Sequence, residues 1–223
     1  MSTGTRHTIT AFDDDMDEIR GLIAEMGARA ESAVVAAMRA LSEHDVELAA
    51  SIRAEDKVID NLEADVERLV VRTIALRAPM ADDLRELIAA LKMSAVIERI
   101  GDYAKNIAKR VPKMEGKIHA SAKEQLGRMG EIVVEMIRTA MDAYAKRDVD
   151  LARAVTIRDD VVDQLNKDLF VDFVAYVAKN PQNATEVAHL LFTAKNLERI
   201  GDHTTTVAQM IYFTETGENL PDA

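Results

Sequence analysis

A chain of 223 residues, 48% of them apolar, can bury one large core or two smaller ones. Its formal net charge of -11 argues against nucleic-acid binding, which needs clustered Lys and Arg, and the absence of Cys excludes disulfides, thiolate metal sites and Cys nucleophiles. With only 9 Gly, 4 Pro and 4% aromatic residues, the composition favours helices over sheets.

Six helices are predicted, over residues 12–42, 45–77, 80–112, 118–146, 148–178 and 182–215. Met1 to Thr10 lacks the apolar stretch of a secretory signal, and no apolar run of about 18 residues is present, so a cytoplasmic protein without a membrane span is expected. In the second helix Ile52, Ile59, Leu62, Val66, Leu69, Thr73 and Leu76 form one stripe of helical period. Pro79 closes this helix, and Ile97, Ile100, Ala104, Ile107 and Val111 continue the pattern in the third. Pro112 and Gly116 end the first half, and Pro181 marks the matching turn of the second. Met26, Met38, Met93, Met129, Met136 and Met141 read as core fillers.

The halves repeat each other. Asp45-Val46-Glu47-Leu48-Ala49 returns as Asp148-Val149-Asp150-Leu151-Ala152, and Glu98-Arg99-Ile100-Gly101-Asp102 returns as Glu198-Arg199-Ile200-Gly201-Asp202. Met38 aligns with Met141, Asp56 with Asp159, and Pro79 with Pro181. Three helices are the smallest antiparallel unit that buries every apolar stripe. The expected fold is therefore all-α, two tandem three-helix bundles, with repeat units at 1–115 and 116–223.

The repeat also doubles a chemical pattern. Asp56/Asp60 and Glu98/Asp102 in the first copy, and Asp159/Asp163 and Glu198/Asp202 in the second, are carboxylate pairs one helical turn apart on one face. Each like-charged pair costs an isolated helix ~0.2–0.5 kcal/mol. A cation such as iron, manganese, zinc or magnesium would relieve it, and oxygen-only ligation leans toward the harder of these ions. The pairs flank the apolar stripes, so such a site is expected at the bundle surface. Acid pairs are also common in a chain with 39 Asp and Glu, where most are simply solvated. Glu63/Glu67 and Asp168/Asp172 share the spacing and are assigned no role.

No enzyme motif is present. There is no Gly-rich phosphate loop and no Gly-x-Ser-x-Gly, and the single Glu-x-x-His, Glu186 to His189, has no counterpart in the first copy. The chain is expected not to be an enzyme. The rival reading is a metal-binding helical protein with a catalytic or storage role for its carboxylate clusters.

Pro79-Met80-Ala81-Asp82-Asp83-Leu84-Arg85, the doubled Glu-Arg-Ile-Gly-Asp phrase, Asn106-Ile107-Ala108, and Phe12-Asp13 with Met26 together resemble the PhoU family over nearly the whole chain. The resemblance implies two three-helix bundles and a cytoplasmic homodimer. It also implies a negative regulator of phosphate uptake and of the phosphate-starvation response. Such a regulator acts between the ATPase subunit of a phosphate ABC transporter and a sensor histidine kinase. Some members hold metal clusters on (Glu/Asp)-x-x-x-Asp pairs, a pattern met here by the eight acids named above. Where the first copy has Asn106, the second has Thr206, a poorer ligand for a hard cation, so tighter binding is expected in the first copy.

Overall fold

The computed structural model describes residues 3–115 and 120–221, with side chains described for 11–115 and 121–221. Among these residues there are six α-helices: α1 Thr3–Glu43, α2 Val46–Arg77, α3 Asp82–Ala108, α4 Ala120–Lys146, α5 Val149–Lys179 and α6 Ala184–Thr216. Short 3₁₀ turns, Val111–Lys113 and Pro181–Asn183, follow α3 and precede α6. The first helix starts well before the predicted residue 12, because hydrogen bonds within the backbone extend it through a stretch that shows no apolar period. The third stops at Ala108 rather than 112, since Pro112 has no amide hydrogen for another helical turn and the chain tightens into the 3₁₀ turn. The expected boundary between repeat units at 115/116 adjoins residues 116–119, which lie outside the described residues.

Helices α1, α2 and α3 pack on one another, and so do α4, α5 and α6. The bundles join through α1 on α4 and α3 on α6, leaving α2 and α5 at the outer edges. Both joints are antiparallel and nearly symmetric. Gly27 on α1 faces Met141 on α4, while Gly130 on α4 faces Met38 on α1. A Cβ added at Gly27 would lie 2.4 Å from Met141 Sδ, and one at Gly130 would lie 3.0 Å from Met38 Cγ. Thus each methionine of the pair fills the groove left by the other repeat's glycine. Arg138 on α4 ties the same joint to Glu31 on α1, with Nη2 2.5 Å from Oε1. On the other joint Tyr103 and His203, equivalent residues of the two copies, meet edge to face at 5.2 Å between ring centroids.

Local signals explain the helix ends. α1 and α4 each finish in a left-handed residue, His44 and Arg147, both at φ 54°. The following amides, of Asp45 and Asp148, donate back to Ala40 and Ala143 at 2.9 and 3.0 Å, which closes a Schellman-type end. The same two aspartates cap α2 and α5: Asp45 Oδ1 accepts from the Leu48 amide at 2.8 Å, and Asp148 Oδ1 from the Asp150 and Leu151 amides at 2.9 and 3.0 Å. Replacing either aspartate with Ala is expected to cost ~0.5–2 kcal/mol, read as a lower denaturant midpoint with unchanged m-value. An unmoved midpoint in both variants would mean that the caps contribute nothing in solution.

The apolar stripes line one continuous core. Met26, Met93, Met129 and Met136 are fully buried. The α2 stripe departs from its predicted course at one end: Leu76 is 66% exposed, while Arg77 beside it reaches Asp15 on α1. Thr73, one turn earlier, is buried.

Candidate carboxylate sites on the two bundles

The stripe of α2 steps by seven residues from Ile52 to Ile59, and the position it skips is Asp56. Asp56 faces inward with them and is only 6% exposed, so it does not flank the stripe as its sequence placement suggested. In α5 Asp159 stands in the same way between the buried Val155 and Val162, and is half-buried. Each lies three or four residues from an inward-facing position on either side, and residues at that spacing share one face of a helix, which is why these two acids sit deeper than expected. Asp60 and Asp202 are exposed, whereas Glu98, Asp102, Asp163 and Glu198 are half-buried.

Each copy brings acids from its second and third helices together. In the first, the Lys105 ammonium on α3 donates to Asp56 on α2 and lies 2.5 Å from Asp102 Oδ1. Arg99 reaches the same group, with Nε 3.7 Å from Glu98 Oε2 and Nη1 3.6 Å from Asp102 Oδ2. Glu98 is pushed up to about 7, chiefly by burial and then by Asp102; Arg99 opposes the shift, and Glu63 and Asp60 add to it. Burial pulls the Lys105 pKa down, but its hydrogen bonds to Asp102 and Asp56 outweigh this, so the net shift is upward and the ammonium is held charged. Asn106, expected to contribute an amide oxygen, instead accepts from Lys109 Nζ at 3.4 Å.

In the second copy, one ligand atom from each of Asp163, Glu198 and Asp202 lies within 4.8 Å of the others. Glu198 Oε1 pairs with Lys195, but Glu198 Oε2 is buried without a hydrogen-bond partner. Asp159 is pushed up to about 6, first by burial, with Thr205 opposing and Asp202 and Asp163 adding. Asp202 is raised as well, by burial and then by Glu198 and Asp163, against Lys195 and His203. Two carboxylate charges at 4 Å repel by ~1 kcal/mol in bulk water and ~4 at an effective dielectric of 20, and Lys195, paired with one oxygen of one acid, offsets only part of this in a group that also holds an orphaned oxygen atom. Its all-oxygen donor set suits a hard cation.

The two glycines beside these acids serve different neighbours. A Cβ at Gly101 would meet Ile59 Cδ1 at 2.9 Å, an apolar contact between α2 and α3. One at Gly201 would meet Asp159 Oδ1 at 2.7 Å, so the missing side chain there leaves room for a carboxylate.

Sequence reasoning missed three participants. Glu63, assigned nothing, stands close enough to Glu98 to raise its pKa. Lys105 carried a usable signal, since it lies three residues beyond Asp102 on the same face. Thr205, its equivalent, carried none by itself. His203, by contrast, packs edge to face on Tyr103, and it acts on Asp202 only through its charge. Glu186 accepts from the Glu115 amide at 3.1 Å and has no metal-ligand cluster around it among the described residues.

Comparison with known proteins gives a consistent relationship. The PhoU domain family model matches residues 23–111 and again 126–211. A phosphate-specific transport system accessory protein PhoU homolog from Zymomonas mobilis is 47% identical over 97% of this chain and 91% of its own. The crystal structure of PhoU from Pseudomonas aeruginosa superposes with a TM-score of 0.90 at 31% identity, over 93% of this chain and all of that one. The phosphate transport system regulatory protein PhoU from Streptococcus pneumoniae superposes with a TM-score of 0.87 at 25% identity, over 94% of this chain and 99% of that one.

Proposed function

Because this chain belongs to the PhoU family, we propose that it is an accessory regulator of a phosphate-specific transport system. In that role it restrains phosphate uptake and the phosphate-starvation response while phosphate is plentiful. The observation that carries the reading is likeness along nearly the whole length, in both repeats, to proteins named for that role. No helix among the described residues is long and apolar enough to cross a membrane, which is compatible with a regulator working in the cytoplasm beside the transporter. The finer role is that of an adaptor, as a homodimer, between the ATPase subunit of a phosphate ABC transporter and a sensor histidine kinase. Apolar surface available to partners supports this role. A groove of about 610 Å³ between α3 and α6 is lined in part by Leu84, Ile88 and Phe213, and α5 exposes Phe170, Val171 and Val174. Deleting the gene should switch on phosphate-starvation promoters in phosphate-rich medium, read with a reporter. Full repression in a strain with no second family member would reject the role.

The same reading includes a metal. Asp163, Glu198 and Asp202, with Asp159 beside them, would hold a cation such as iron, manganese, zinc or magnesium, the harder ions being favoured by all-oxygen ligands. Bound there, it would supply positive charge to offset four clustered acids. The orphaned Glu198 Oε2 and the closeness of the three ligand atoms support it. The role is one of charge and shape, not catalysis.

A further inference from the structure

Among the positions where the two carboxylate groups differ, one sets a lysine against a threonine, Lys105 in the first copy and Thr205 in the second; the second copy has a lysine elsewhere, Lys195 in place of Ala95, which pairs with Glu198 on its own helix. Lys105 spans from α3 to α2 and sets one ammonium between Asp56 and Asp102. An ammonium is a compact point charge with three donors, so it fills the space between two carboxylates much as a small cation does. A metal ion entering there would have to break both ion pairs and leave the displaced ammonium beside a like charge in a half-buried site. Such a rearrangement is costly, because a buried charge stripped of its partner keeps its desolvation penalty. Arg99 adds a second positive charge to the same group. Its counterpart Arg199 lies over the Tyr103 ring instead, 5.8 Å from the centroid. Thr205 is short and uncharged, and its hydroxyl stands against Asp159; Lys195 reaches Glu198 Oε1 on its own helix and does not bridge to α5, and Glu198 Oε2 is buried without a hydrogen-bond partner. Among the described residues, the close approach of three ligand atoms occurs only in the second copy.

We propose that Lys105 is a built-in cation that keeps metal ions out of the first carboxylate group, so that the residue at this position, lysine or threonine, decides which half of the molecule takes one. For the second group this rests on the metal reading above; for the first it stands or falls by itself. The order of affinity expected from Asn106 and Thr206 is thereby reversed.

The test titrates Mn²⁺ into the full-length, chelator-stripped protein and follows bound ion by electron paramagnetic resonance. Circular dichroism confirms that each variant keeps its helices. Wild type should bind Mn²⁺ in a manner lost in Asp163→Asn/Asp202→Asn. Lys105→Thr should bind additional Mn²⁺, and a further Asp56→Asn should remove that addition. Without metal, Lys105→Thr should melt several degrees lower than wild type, since its acids lose their counter-charge. Lys105→Gln, which keeps the length without the charge, guards against a packing artefact and should behave like Lys105→Thr in both readouts. Two results would overturn the proposal. One is folded Lys105→Thr and Lys105→Gln variants that bind no more Mn²⁺ than wild type. The other is wild-type binding that survives Asp163→Asn/Asp202→Asn but is lost in Asp56→Asn. If wild type binds none while Lys105→Thr gains an ion, the metal reading for the second group falls and the exclusion by Lys105 stands.

Discussion

Replacing Ile100 with alanine should lower stability by ~2–5 kcal/mol, the usual cost of removing a buried aliphatic side chain and leaving a cavity. For a chain of this size that corresponds to a drop in melting temperature of roughly 4–20 °C, measured by circular dichroism or calorimetry. Ile100 is 2% exposed and stands where the bundles meet, sharing a small void with Gly27 and Ile137 and with Thr204 and Val207 of α6. Loss there weakens the first bundle and its joint with the second together, and little can collapse into the gap, because neighbours from four helices are already fixed by their own packing. Leu76→Ala makes the contrast. It belongs to an apolar stripe by period, yet at 66% exposure it should change stability by no more than ~0.5 kcal/mol. Equal losses for the two substitutions would contradict the described packing.

The metal-free protein should become less stable as pH rises from about 4.5 to about 7. Glu98, raised to about 7 chiefly by burial and then by Asp102, binds its proton more tightly in the folded chain than in the unfolded one. Between its ordinary carboxyl value and about 7, the native state therefore holds more protons than the unfolded state, and stability falls with pH across that window. Asp159, raised to about 6, and Asp202, also raised, add to the lower part of the window with the same sign. His203 acts in the opposite direction. Burial lowers its pKa, so it favours the folded state more as pH climbs through the ordinary imidazole range. The acids outnumber it, and the net slope is downward. Glu98→Gln should flatten the curve between about pH 4.5 and 7 and leave Asp159's share in place, read as melting temperature against pH in the presence of chelator. An identical slope in Glu98→Gln and wild type would show that burial and Asp102 do not raise Glu98 in the folded chain.

Much of the molecule was legible before any coordinates. The period of apolar residues placed six helices, because burial of one face is the same requirement whatever the partner. The doubled phrases fixed two copies of one unit, because residues that build the same turn and cap recur with it: Asp45 and Asp148 cap equivalent helices behind equivalent left-handed residues, His44 and Arg147. The same phrases carried the family. The eight acids were visible too, since a spacing of four is a property of one helix and needs no neighbour.

Only the tertiary structure decided how those acids are compensated. Lys105 meets Asp56 because α2 and α3 pack at a particular height and rotation, and a flexible four-carbon stem can span that gap only there. Period alone left Asp56 on the flank, although the stripe's step of seven marked a vacant inward position that an acid could fill. Gly101 and Gly201 occupy the same place in the repeat, yet one admits an isoleucine and the other a carboxylate, because Ile59 and Asp159 reach them from a second helix. A charge is read from its own residue, whereas its free energy is set by whatever the fold brings within a few ångströms of it.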